Sequence, residues 1–216
     1  MTRLSATVFG ATGLVGKKVV EQLCENEDYQ TVFVPNRREI TYKNEKIEAR
    51  TIDFDQLESN TALFEVDHIF ICLGTTIKKA GSQEAFQKVD LELPKRIATM
   101  AAQNSVKAVV LISSIGADAD SSNFYLKTKG QTEGAVIKAL NERAYIVRPS
   151  MLLGDREEFR LGEEIGKFLV KGLYFLIPKK YRGIYDYEVA AAMIQLAQKQ
   201  PNKQVYRSDE LKRIVQ

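Results

Sequence analysis

The sequence predicts an α/β fold, a doubly wound parallel sheet flanked by helices, with a small C-terminal substrate-binding region. Three observations carry that expectation. Short apolar runs of strand length alternate with amphipathic helical stretches. A glycine-rich turn, "FGATGLVG" (Phe9 to Gly16), joins the first of those strands to the first helix. The chain of 216 residues is 44% hydrophobic, enough for one sizeable core, and no Pro/Gly linker or internal repeat divides it.

Taken in order, Ser5 to Phe9 reads as an apolar strand. Leu14 to Glu25 reads as a helix. Val15, Val19 and Leu23 recur every fourth residue, and Lys17, Lys18, Glu21 and Gln22 lie outside that stripe. Gln30 to Val34 and Ile47 to Ile52 are the next strands. "HIFIC", His68 to Cys72, is another, followed by a long helical stretch from Ser82 to Gln103. "AVVLI", Ala108 to Ile112, is a strand, Phe124 to Leu140 a helix, and Tyr145 to Val147 a strand. Strands of this kind, separated by helices, argue for a parallel sheet covered on both faces. After Pro149 the rhythm changes, and Phe159 to Lys171 and Tyr187 to Lys199 read as helices among loops. The expected organisation is one domain over 1–216, a cofactor-binding core to residue 148 with substrate-lobe elements from 149.

Composition removes several function classes. The formal net charge is +3, and no run of five or six Lys or Arg suggests a nucleic-acid partner. No stretch approaches 18 apolar residues, so no membrane span is expected. Cys24 and Cys72 lie far apart without metal-ligand spacing, which argues against a disulfide scaffold or a metal site. No signal peptide is expected, because Arg3 is followed at once by a strand-like run, and the expected location is cytoplasmic. His68 is the only histidine and reads as structural. A monomer or homodimer is expected.

The glycine turn follows a strand and opens a helix, the context a dinucleotide fingerprint requires. Gly10 would make the turn, Gly13 would let the backbone approach a pyrophosphate, and Gly16 would let the helix pack closely. Thr12, Leu14 and Val15 belong to the same cradle, where helix amides and the helix dipole meet negative charge. The spacing is G-x-x-G-x-x-G, and a plain tight turn is the alternative. About 20 residues further on, an acid would bind the ribose 2′-hydroxyl of NAD. Here Asn36-Arg37-Arg38 stands instead. Arginine forks suit phosphate oxygens, so NADP (NADPH) is expected over NAD; two solvated loop arginines are the alternative.

These segments, with "ICLGTT" (Ile71 to Thr76), "ISSIGAD" (Ile112 to Asp118), "YLKTK" (Tyr125 to Lys129) and "IVRPSMLLG" (Ile146 to Gly154), occur in an order that resembles the short-chain dehydrogenase/reductase superfamily, in its atypical branch. "SSNFYLKTKGQTE" (Ser121 to Glu133) is similar to the Tat-interacting oxidoreductase-like proteins and their bacterial NAD(P)-binding relatives. The resemblance covers nearly the whole chain and implies a Rossmann fold. It places Asp53 and Phe54 beside the adenine, and Cys72, Leu73 and Gly74 where the cofactor ribose passes the fourth strand. It sets the loop of Pro149, Met151 and Leu152 along the nicotinamide, and gives Lys129 the ribose hydroxyls. One departure stands out. The better-known enzymatic branches carry Asn-Ala-Gly at the fourth strand end, whereas this chain has Cys-Leu-Gly-Thr-Thr, without the asparagine of the usual proton relay.

Tyr125 and Lys129 are four apart on an expected helix and share one face. A nearby cation favours a phenolate, so Tyr125 would donate a proton to a carbonyl oxygen, or accept one in reverse. Ser114, with Ser113 as its substitute, ends a strand and would hydrogen-bond the substrate carbonyl. Neighbouring strand residues face opposite ways, so one of the two does so. The expected activity is NADP(H)-dependent reduction of a small carbonyl or oxidation of the alcohol. A cofactor-binding regulatory or sensor protein with little chemistry, and an epimerase that keeps its cofactor, remain alternatives.

Overall fold

In the computed structural model, which describes residues 3–154, 178 and 181–216, the strands alternate their side chains between two covered faces. Ala6, Val8, Phe70, Val110 and Val147 belong to one buried cluster. Their strand neighbours Phe9, Ile69, Ile71, Val109, Leu111 and Ile146 belong to another. A strand buried on both faces needs an apolar residue at every position, which is why these runs show no polar alternation.

The elements are β1 (Leu4–Phe9), α1 (Leu14–Glu25), β2 (Tyr29–Asn36), β3 (Ile47–Thr51), β4 (His68–Ile71), a short α2 (Ile77–Ala80), α3 (Gln83–Gln87) and α4 (Leu93–Gln103). There follow β5 (Ala108–Ile112), α5 (Phe124–Leu140), β6 (Ala144–Arg148), β7 (Leu152–Leu153), β8 (Ile184–Tyr185), α6 (Asp186–Lys199), β9 (Val205–Arg207) and α7 (Ser208–Val215). Seven strands form one sheet in the order β3-β2-β1-β4-β5-β6-β9, with every neighbouring pair parallel. Winding runs outward through β2 and β3, then reverses across β1 to β4. Ligands of such sheets bind outside the carboxyl ends of the strands at that reversal.

Helix α1 lays Val15, Val19 and Leu23 on the first cluster, and α6 adds Val189, Met193 and Ala197. Helix α4 lays Ile97, Ala98 and Ala101 on the second, and α5 adds Val136 and Leu140. The ranges expected for α1, β5 and α5 match those found. The strand at His68 ends one residue earlier than expected, at Ile71. The stretch expected as one helix from Ser82 is capped by Ser82, whose Oγ accepts the Ala85 N–H at 3.1 Å. It contains a π-helical turn at Lys88–Glu92. β9 is too short to stand out in sequence, yet it pairs with β6 and carries the sheet past residue 148. The helix expected over Phe159 to Lys171 lies outside the described residues.

His68 is buried, with Nδ1 2.7 Å from the Tyr29 hydroxyl. Burial lowers its pKa to about 4, so it is neutral at pH 7. Among the described residues no helix is long and apolar enough to cross a membrane.

Candidate functional site

The glycine turn sits where β1 meets α1. Gly10 has φ +84°, which only glycine adopts without strain, and a Cβ there would meet the Cys72 carbonyl at 2.6 Å. Gly16 packs just as tightly, since a Cβ would lie 2.2 Å from the Gly10 carbonyl oxygen. The turn therefore presses α1 against the carboxyl end of β4. Gly13 is the N-cap of α1; it offers no side-chain cap, and no acid occupies the first turn. Gly13, Leu14 and Val15 line a cavity of about 190 Å³. An uncapped helix start that opens on a cavity presents amide donors and the positive end of the helix dipole to an anion. Thr12 is exposed at the tip of the turn.

The same cavity gathers the expected chemistry. Cys72, Leu73 and Gly74 reach it from β4, Ser113 and Ser114 from β5, Tyr125 and Lys129 from α5. Pro149, Met151 and Leu152 reach it from the loop after β6. Lys129 Nζ lies 6.0 Å from the centre of the Tyr125 ring. Burial pushes the Cys72 thiol up to about 12, so it sits there as a neutral thiol.

Lys129 also meets a residue that sequence reasoning missed. Its Nζ is 2.7 Å from Asp90 Oδ1, and the two side chains are 7% and 0% exposed. Asp90 Oδ2 accepts the Thr75 N–H at 2.8 Å. Oδ1 makes no hydrogen bond of good geometry and is compensated by the lysine charge. The sequence explains the position of Asp90. Pro94, four residues on, has no N–H to give the Asp90 carbonyl, and its ring crowds that carbonyl. The helix widens there into the π-turn. The Thr132 hydroxyl fills the gap, donating to the Asp90 carbonyl at 2.7 Å. A readable signal existed: Asp90 interrupts the buried stripe of Phe86, Pro94, Ile97 and Ala101.

The two serines divide. Ser113 Oγ donates to the buried Glu133 carboxylate, which Arg148 Nε grips at 2.9 and 3.1 Å. Ser114 Oγ makes only a long 3.3 Å bond to the Ile115 carbonyl. Ser113 thus has its proton committed, and Ser114 is the better placed to turn toward a ligand. Glu133 is one helical turn beyond Lys129, so Tyr125, Lys129 and Glu133 line one face of α5.

A second, broader cavity of about 900 Å³ shares Leu73 with the first. It is lined by Arg37, Asp53 and Phe54, and by Lys88, Val89 and Arg96 from the opposite wall. Arg96 is already engaged by Glu58 and by the Phe54 and Asp55 carbonyls. The three residues expected to read the phosphate separate. Arg37 lines the cavity, Arg38 is exposed beside it, and Asn36 turns inward, its Nδ2 donating to the Val34 carbonyl at 3.0 Å. The position of Asn36 follows from strand alternation, which points the last residue of β2 into the core.

Comparison with known proteins agrees with this geometry. A family model described as NAD(P)H-binding matches residues 10–171. Protein HTATIP2 of Rattus norvegicus is 33% identical over 171 residues, 77% of this chain and 70% of that protein. The mitochondrial protein FMP52 of Meyerozyma guilliermondii is 34% identical over 197 residues, 88% of this chain and 84% of that protein. Among solved structures, the Bordetella bronchiseptica enzyme WbmF in complex with NAD+ aligns with a TM-score of 0.70 at 14% identity, over 98% of this chain and 77% of that one. The Helicobacter pylori ADP-L-glycero-D-manno-heptose-6-epimerase aligns with a TM-score of 0.70 at 18% identity, over 99% and 81%. The structural likenesses show the fold, and the sequence matches show the family: the chain belongs to the NAD(P)H-binding family, as an atypical short-chain dehydrogenase/reductase with a Rossmann sheet.

Proposed function

We propose that this protein is an NADP(H)-dependent oxidoreductase that reduces a small carbonyl compound or oxidises the alcohol. The observation that carries this reading is the meeting of Tyr125, Lys129 and both serines in the cavity onto which the uncapped start of α1 opens. The cofactor fits the residues present. The amides of Leu14 and Val15 suit its pyrophosphate, Lys129 its nicotinamide ribose, and Asp53 and Phe54 its adenine end. Gly10, Thr12 and Gly16 shape the turn around it. Arg37 suits a 2′-phosphate, which is the reason to prefer NADPH. When bound, the cofactor supplies or accepts hydride.

The chain's own residues do the rest. Ser114 holds the carbonyl oxygen, and Tyr125 gives it a proton or takes one back. Lys129 orients the ribose side and sets the charge around the phenol. Ser113, fixed by Glu133, keeps the neighbouring position rigid. A second reading, a cofactor-binding sensor with little chemistry, is favoured by one observation: the lysine charge is already matched by Asp90. A reducing compartment suits the free Cys24 and Cys72, and we place the protein in the cytoplasm. The yeast relatives carry mitochondria in their names, and fractionation of tagged protein separates the two.

Steady-state kinetics and cofactor titration test the activity, after a panel of carbonyls and alcohols has yielded a substrate. Tyr125→Phe should lower turnover by roughly 10² to 10⁴, the worth of a positioned general acid, and leave cofactor affinity unchanged. Full activity in that variant removes Tyr125 from the chemistry. Tight cofactor binding with no turnover of any panel member gives the sensor reading the lead.

A further inference from the structure

Lys129 does not act on Tyr125 alone. Asp90 stands against it at 2.7 Å, fully buried, held by the Thr75 amide and by the π-turn that Pro94 imposes. We infer that Asp90 is a positioning residue that holds Lys129 and offsets its charge, so that the Tyr125 phenol faces an Asp–Lys pair. The inference rests on the oxidoreductase reading for its purpose, but its physical content is separate from turnover.

The geometry gives the effect its size. Lys129 Nζ is 6.0 Å from the Tyr125 ring centre and 2.7 Å from Asp90 Oδ1. The carboxylate therefore lies within about 9 Å of the ring, where a unit charge in a partly buried site moves a titration by about one pH unit. Among the described residues, the other charges near the pair are placed as follows. Glu133, on the same face of α5, is neutralised by Arg148 of β6. The Asp118 carboxylate, in the loop after β5, accepts the Asp120 N–H at 3.0 Å. Cys72, directly after β4, is a neutral thiol. Lys88 and Glu92, which flank Asp90 on the π-turn, line the other cavity. Phe86 meets the Tyr125 ring at 6.0 Å and brings no charge. Asp90 is thus a fully buried acid in direct contact with the lysine.

The sign follows. A negative charge near a phenol disfavours its ionised form. Removing it while keeping the shape, as in Asp90→Asn, takes one negative charge away from beside the lysine and favours the phenolate. The asparagine oxygen still accepts the Thr75 amide.

Tyrosinate absorbance, titrated with pH on the whole protein, reads this directly. The chain has nine tyrosines, so each protein is subtracted from its own Tyr125→Phe counterpart to isolate one. The Tyr125 midpoint should fall by about one pH unit in Asp90→Asn and return to the wild-type value in Asp90→Glu. It should rise in Lys129→Gln, where the acid stands alone. An unchanged midpoint in folded Asp90→Asn overturns the inference. Should that variant fail to fold, the double variant Asp90→Asn/Lys129→Gln removes both charges together and leaves neither stranded. Its midpoint should lie below that of Lys129→Gln, and equality overturns the inference in the same way. Any alcohol substrate found should show the same shift in the pH at half-maximal oxidation. Absence of any substrate would defeat the oxidoreductase reading while the absorbance titration still decides the role of Asp90.

Discussion

The two edges of the sheet bury similar residue types and use them differently. At the amino edge, His68 and Tyr29 form a neutral pair, and the Thr7 hydroxyl donates to the Leu63 carbonyl at 2.7 Å. The acid there, Asp67, holds the Ser5 amide and hydroxyl and pairs with Lys107, whose side chain is well exposed. At the carboxyl edge, two ion pairs are drawn inward: Asp90 with Lys129, and Glu133 with Arg148. Both cavities open on that second edge. Buried charge costs stability unless fully compensated, so a fold with no ligand to meet would place its charges as the amino edge does. The contrast points to the same end of the sheet as the two cavities do.

The largest expected effect tests that contrast at Glu133. Glu133→Ala strands Arg148 and leaves the Ser113 hydroxyl without its acceptor, which should cost about 3 to 5 kcal/mol of stability. Asp67→Ala at the other edge frees a lysine that solvent already reaches, and should cost only about 1 to 2 kcal/mol, chiefly for the Ser5 bonds. Urea denaturation of both variants measures the pair. Equal losses would mean that the two edges do not differ in how they store charge.

The next effect belongs to the amino edge and depends on pH. The folded His68 has a pKa near 4 against an ordinary 6.5, because burial disfavours its charged form. The unfolded chain therefore takes up a proton that the folded protein refuses. This contribution is fully present above about pH 6.5 and is lost as pH falls toward 4, by about 3 kcal/mol in all. Denaturation between pH 7 and pH 4.5 should show that slope, and His68→Gln should flatten it. A wild-type slope that survives in His68→Gln would assign the pH dependence to carboxylates instead.

The sequence made one of these edges easier to read than the other. The strand and helix pattern was legible because burial on both faces demands continuous apolar runs, and the ranges of α1, β5 and α5 needed no adjustment. The glycine turn was legible because its demands are local: Gly10 needs a positive φ, and Gly16 needs the space of a Cβ. Tyr125, Lys129 and the two serines were legible as an ordered set. Asp90, Glu133 and Arg148 were not, because their partners lie 15 to 39 residues away and pair only once α4, α5 and β6 have packed. Asn36 shows the reverse case. It stands beside Arg37 in sequence, yet strand alternation turns it away from the cavity. β9 escaped notice because three residues carry no periodicity.

The smallest effect lies where charge is solvated, at the broad cavity. Three cations line it, and the structure sorts them. Arg96 spends its guanidinium on Glu58 and on two backbone carbonyls, so it braces the loop that carries Phe54. Lys88 lies on the far wall. Arg37 follows directly after β2, where a ribose 2′-substituent would arrive, and its side chain is exposed. An exposed guanidinium contributes little to the fold, so Arg37→Ala should leave the denaturation midpoint unchanged. It should weaken NADPH by about 10- to 100-fold, the worth of about 1.5 to 3 kcal/mol for hydrogen bonds to a charged group, and leave NADH as it was. The wild-type preference should also shrink with added salt, because solvent-exposed charges are screened within a Debye length of about 10 Å at 0.1 M. Titration calorimetry with both cofactors, at two ionic strengths, measures all of this. Equal affinities in the wild type would remove the preference for NADPH, and a preference that persists in Arg37→Ala would move the phosphate contact to Lys88.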